Sequence, residues 1–145
     1  VTPEALAELH AQAFTTPRPW SAAAFAGVIA RPECFVLSAP GGFLLASVVA
    51  GEAEVLTLAV APERRRHGIA RGLVAGFLAQ AGTRGAQAAF LEVAADNAAA
   101  LALYQAAGFA VAGRRKGYYR TADGRQIDAV VMTRQLSAAG LVPDF

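Results

Sequence analysis

The chain has 145 residues, 55% of hydrophobic types and only 17% charged, which suits one folded domain with a real core and excludes a disordered chain. No apolar stretch reaches the ~18–20 residues a membrane-spanning helix needs; the longest candidate, Phe43 to Ala50, is stopped by Gly51, Glu52 and Glu54. The net charge is only +2, yet twelve of the thirteen basic residues are Arg, with clusters at Arg64-Arg65-Arg66 and Arg114-Arg115-Lys116. Either cluster could attract a polyanion such as nucleic acid or a phosphorylated cofactor, although the codon bias of a GC-rich genome would produce the same richness in Arg.

At the N-terminus Val1-Thr2-Pro3-Glu4 has neither a basic nor an apolar leader segment, and the lone Cys34 permits no internal disulfide; both features predict a cytoplasmic protein. Thr2 as cap, Pro3 in the first turn and Leu6, Leu9, Ala13 and Phe14 at helical spacing predict a first helix. After the breaker Thr16-Pro17-Arg18-Pro19, Ser21 caps a short second helix carrying Phe25, Val28 and Ile29 and ending before Pro32. Cys34–Ser38, Phe43–Ala50 and Glu54–Val60, punctuated by glycine turns, predict a three-stranded antiparallel meander. A helix over about Gly68–Ala81, a strand over Ala88–Val93, a helix over Asn97–Ala107 and a final hairpin follow. The hairpin joins Ala110–Tyr119 to Gln126–Leu136 through the Asp123-Gly124 turn. The whole predicts an α/β (α+β) domain over residues 1–136, with a mixed central sheet, helices on both faces and a loose tail over 137–145.

Two segments carry chemistry. The apolar strand ending at Val60 runs through a basic loop, Arg64 to Gly68, into a long helix. A helix N-terminus offers unpaired N–H groups and partial positive charge, and the small Gly68 and Ala70 would let a phosphate or pyrophosphate approach while Arg65, Arg66 and Arg71 add charge-assisted bonds. A plain solvated basic turn remains open as an alternative. The nucleotide motifs G-x-x-x-x-G-K-[S/T] and G-x-G-x-x-G are absent. The second segment places Glu92 inside an apolar strand, where partial burial would raise its pKa toward that of a general base; an ion pair with a sheet neighbour is an equally good reason for it. Asp96 or Asn97 caps the next helix, and Asn97 and Tyr104, seven apart, share nearly one face. By itself Tyr104 is equally well a core aromatic. His67, His10 and Cys34 make no metal-ligand spacing, and no metal is expected.

Arg65-x-x-Gly68-x-Ala70 resembles the Gln/Arg-x-x-Gly-x-Gly/Ala acetyl-coenzyme A signature of the GNAT N-acetyltransferases. The stretch from Leu91-Glu92-Val93 through Asp96–Phe109, with Arg114–Tyr119 and Asp128–Met132, is similar to the family's RimI-like branch, which acetylates the N-terminal alanine of a small-subunit ribosomal protein. This resemblance implies the GNAT acyl-CoA N-acyltransferase fold and acetyl-CoA as co-substrate. Glu92 would be the base and Tyr104 the acid. Asn97 and the strand end Leu58, Ala59 and Val60 would meet the pantetheine, with a backbone N–H near Leu58 for the oxyanion. Arg65, Arg66, His67, Gly68, Ile69, Ala70 and Arg71 would surround the pyrophosphate, and Trp20, Tyr118 and Tyr119 would line the peptide cleft. The implied partner is a protein N-terminus, not nucleic acid or a membrane.

Three departures stand out: helix one is preceded by no strand like the family's usual first one; Ala94 and Asp96 replace the branch's usual Arg and Ser; and Arg65 and Ala70 are the rarer choices in the signature. The rival readings are a GNAT enzyme of a small amine or lysine side chain, a non-catalytic acetyl-CoA sensor, and a basic nucleic-acid-binding module.

Overall fold

The computed structural model describes residues 1–14 and 19–136. The breaker at 16–19 therefore falls mostly, and the tail at 137–145 wholly, outside the described residues. Helix α1 (Pro3–Ala13) starts where the Thr2 hydroxyl accepts the Ala5 N–H at 3.1 Å, and α2 (Ala22–Ile29) starts where Ser21 accepts that of Ala24 at 3.1 Å. The strands β1 (Cys34–Ala39), β2 (Gly42–Val49) and β3 (Glu52–Val60) form the antiparallel meander. β3 begins two residues before the sequence suggests, since pairing of Glu52 with Val49 continues the ladder regardless of side-chain polarity.

Then follow α3 (Ile69–Thr83), β4 (Ala88–Ala94), α4 (Ala98–Ala106), β5 (Ala110–Arg120) and β6 (Gln126–Gln135). The six strands lie in the order β1-β2-β3-β4-β6-β5, antiparallel throughout except where β3 meets β4 in parallel. This is the mixed sheet expected. The first strand in chain order follows both α1 and α2.

Alternation along β2 explains the layering. Phe43 and Leu45 face α1 and α2, where they pack with Leu6 and Phe25. Leu44 and Ala46 face the other way, into a larger core with Phe77 and Val74 of α3, Leu91 of β4 and Met132 of β6. A central strand covered on both faces must be apolar on both, so β2 reads as a continuous apolar run. No helix among the described residues is long and apolar enough to cross a membrane.

Candidate active site

β3 and β4 pair only over Glu52–Glu54 against Ala88–Phe90. Beyond that seam β3 runs on to Val60 and β4 to Ala94 without pairing with each other, and the sheet splits into a wedge. The opening is a cleft of about 680 Å³ with Val55–Val60 on one wall and Leu91–Ala94 on the other. Backbone groups on the two facing edges have no strand partner there, so an extended ligand can take the place of a neighbouring strand.

One end of the cleft is the start of α3. Gly68 is its cap residue with φ +78°, a left-handed conformation that favours glycine, and no side chain caps the helix. Gly72 N–H closes the first intrahelical bond onto Gly68 at 3.0 Å, leaving the N–H groups of Ile69, Ala70 and Arg71 without helical partners. A Cβ at Gly68 would meet nothing within 4 Å, so the glycine is there for its backbone and for access. Arg64, Arg65, Arg66 and Arg71 line this end. Arg66 is itself left-handed at φ +68°. Arg65 is anchored, its Nε donating to the Val60 carbonyl at 3.4 Å and its terminal nitrogen to that of Ala13 at 3.5 Å.

The α4 side carries Asn97 and Tyr104. Asn97 is the cap, its side-chain oxygen accepting the Ala100 N–H at 3.1 Å, and it lines the cleft as well. Tyr104 is 5% exposed and packs edge-on against Phe109 at 5.8 Å. Burial drives its phenol far above the ordinary range, so it stays protonated. Its hydroxyl has no hydrogen-bond partner among the described residues, and the residue lines the cleft.

Glu92 lies on the other face of the sheet. Leu91 and Val93 point into the α3–α4 core, so alternation turns Glu92 toward the α1–α2 side. Its side chain, 22% exposed, forms an ion pair with Arg115, which reaches across β6 from β5. The ion pair left open by the sequence is therefore present, and it supplies a reason for a strand carboxylate that burial alone does not. Glu54 lies in the same electrostatic cluster: burial, and then the negative charge of Glu92, raise its carboxyl above the usual range. Tyr119 is pushed up to about 12, first by burial and then by the same charge. The cleft thus passes through the sheet, with Tyr104 on one side and Glu92 and Tyr119 on the other.

Of the residues expected at the site, the structure brings together Leu58, Ala59, Val60, Arg65, Arg66, Gly68, Ile69, Ala70, Arg71, Glu92, Asn97, Tyr104 and Tyr119. Three others do not line the cleft. His67 is exposed on the loop. Trp20 turns into the α1–α2 aromatic cluster, 5.1 Å from Phe25 and 5.9 Å from His10, because a large ring gains more from burial there. Tyr118 is 54% exposed, its ring 5.2 Å from the Arg115 guanidinium. The sequence reading missed Ala13, Phe14 and Thr57, which line the cleft, and Arg115, which holds Glu92. It also missed His10, buried behind Thr57 at 1% exposure, whose signal was a polar residue four after Leu6 on an apolar helix face.

A split parallel junction leading to an uncapped helix start invites comparison with known proteins. The profile of the acetyltransferase (GNAT) family matches residues 5–109. The chain belongs to this family and is an N-acetyltransferase. It is 39% identical to the ribosomal protein bS18-alanine N-acetyltransferase of Escherichia coli K12 over 134 residues, covering 90% of this chain and 87% of that protein. It is likewise 39% identical to the N-alpha-acetyltransferase RimI of Mycobacterium tuberculosis over 138 residues, covering 88% and 83%. The crystal structure of the ribosomal-protein-S18-alanine N-acetyltransferase from Escherichia coli superposes with a TM-score of 0.83 at 34% identity, covering 99% of this chain and 92% of that one. Arabidopsis thaliana NAA60 in complex with acetyl-CoA shares the fold, with a TM-score of 0.79 at 21% identity over 92% and 93% of the chains.

Proposed function

We propose that the protein transfers the acetyl group of acetyl-CoA to the α-amino group of a protein N-terminus, the acceptor being the N-terminal alanine of a small-subunit ribosomal protein, met in the cytoplasm. The relatives' names support that acceptor. The observation that carries the reading is the placement of Glu92 and Tyr104 on opposite faces of one opening. An amine can then approach from the α1–α2 side while the sulfur departs toward α4.

Acetyl-CoA fits the cleft chemically. The edge of Leu58, Ala59 and Val60, which has no strand partner on the cleft side, suits the amides of a pantetheine arm, with the Asn97 side of the cleft facing it. The free N–H groups of Ile69, Ala70 and Arg71, with the arginines around them, suit a pyrophosphate. Glu92 takes the proton of the acceptor ammonium, which must displace Arg115 from the carboxylate. An α-amino group, with a pKa of about 7.7–8.0 against about 10.4 for lysine, is the easier amine to deprotonate. The freed nitrogen attacks the thioester carbonyl, and a backbone N–H near Leu58 donates to the oxygen as it gains charge. The carbon–sulfur bond breaks, Tyr104 gives its hydroxyl proton to the departing sulfur, and the proton that the new amide nitrogen sheds passes to solvent, from which the Tyr104 oxygen is reprotonated. Burial raises the phenol above its ordinary range, which favours the protonated form that the donor role requires.

The test offers acetyl-CoA with three acceptors: an Ala-initiated peptide, the same peptide blocked at its N-terminus but carrying lysine, and a polyamine. A gain of one acetyl mass on the free N-terminus is expected. A gain only on the blocked peptide or the polyamine overturns the N-terminal assignment, and a gain on none with the coenzyme still bound indicates a sensor.

A further inference from the structure

His10, buried behind the cleft wall, is hydrogen-bonded to the half-buried Thr57 in that wall, and neither has a part in the chemistry above. Both ring nitrogens of His10 are engaged: the Trp20 backbone N–H lies 3.0 Å from Nδ1, and Thr57 Oγ1 lies 2.8 Å from Nε2. A backbone N–H can only donate, so Nδ1 carries the lone pair and the proton of the neutral ring sits on Nε2. Thr57 therefore accepts from His10. A hydroxyl has a single proton, and with its oxygen already receiving that bond, the proton is left to donate elsewhere. Among the described residues nothing accepts it. Thr57 lies on β3 past the point where β3 parts from β4, half-buried and lining the cleft, on the α1–α2 side that also holds Glu92.

A donor on the same face of the cleft as the base calls for an oxygen on the acceptor. A peptide N-terminus carries one, its first carbonyl, attached to the carbon that bears the amine; a lysine side chain or a polyamine carries none there. We infer that Thr57, oriented by His10, donates to the first carbonyl oxygen of the acceptor chain and so selects an α-amine over a side-chain amine. This rests on the N-terminal reading and deepens it. His10 is the positioning residue, fixing the direction of the Thr57 proton from behind, and Thr57 is the residue that meets the substrate.

The experiment compares kcat/KM of the full chain on an Ala-initiated peptide and on the same peptide with its first peptide bond replaced by a trans alkene, which keeps the shape and removes the oxygen together with the N–H. Thr57→Val is expected to lower kcat/KM on the normal peptide roughly three- to tenfold more than on the alkene peptide, the usual worth of one neutral hydrogen bond. Thr57→Ser should restore the preference, and His10→Phe should lose part of it. In wild-type protein labelled with 15N-histidine, the His10 ring should be neutral and protonated on Nε2. Equal losses on both peptides, no loss on either, or a ring protonated on Nδ1 overturns the inference while leaving the acetyltransfer reading intact. A wild-type protein inert toward both peptides overturns that reading, and this inference with it.

Discussion

Replacing His10 by phenylalanine should change how the protein's stability depends on pH. Burial of the ring, 1% exposed, lowers its pKa from 6.5 to about 4. Between those two values the unfolded chain binds a proton that the folded chain does not, so stability falls as the pH falls, by about 1.4 kcal/mol per unit. The contribution is fully present above pH 6.5 and lost on approaching pH 4. Integrated from pH 7.5 to 5, it amounts to about 2 kcal/mol, a large part of a typical domain's total. Phenylalanine suits the aromatic surroundings, with Phe14 at 4.5 Å and Phe25 at 5.5 Å, and does not titrate. Urea unfolding of both proteins at the two pH values gives the comparison. Wild type should lose about 2 kcal/mol more than the variant on acidification. Parallel losses would refute the claim that a neutral, buried His10 is linked to folding.

Four further outcomes are expected. Tyr104→Phe should slow turnover by about 10²-fold or more and leave the dissociation constant of acetyl-CoA nearly unchanged by calorimetry, whereas equal losses in both would remove the acid role. Glu92→Gln should cut kcat/KM by about 10²–10⁴ with coenzyme binding retained, and near-normal rates would transfer the base to another group. Gly68→Ala meets no neighbour but must hold φ +78°, so a loss of about 1 kcal/mol and a Tm lower by a few degrees should accompany weaker coenzyme binding; an unchanged Tm would mean that the turn relaxes freely. Phe77→Ala, at a fully buried position of the larger core, should cost about 3–5 kcal/mol in denaturant titration, and a cost under about 1 kcal/mol would contradict the packing described.

The element order was legible because each piece carries local signals: Thr2 and Ser21 as caps, alternation or apolar runs in the strands, and Asp123-Gly124 at the last turn. The basic loop and Gly68 were legible for the same reason, since a helix start after a strand is a short-range pattern. Partners across the sheet were not. Periodicity assigns Glu92 a face but says nothing of Arg115, which arrives from two strands away. Nor does it reveal that β3 and β4 separate after Glu54 and Phe90, because the register of a parallel pair joined through a helix depends on packing rather than on a turn. The inward turn of Trp20 and the link from His10 to Thr57 are long-range in the same sense, depending on how α1 settles on the sheet.

The seam between β3 and β4 has a mechanical consequence. Among the described residues three ladder pairs, extended by the Gln87 and Ala88 N–H groups donating to the Gly51 carbonyl, stitch the amino-terminal half of the sheet to the carboxy-terminal half, so the junction is the shortest stretch of the main-chain ladder. A molecule wedged between the lips contributes cohesion that the polypeptide itself lacks, and part of its binding free energy becomes resistance to unzipping. Amide exchange along Val55–Val60 should therefore slow most when the wedge is filled, and the substrate doubles as a removable rivet of the fold.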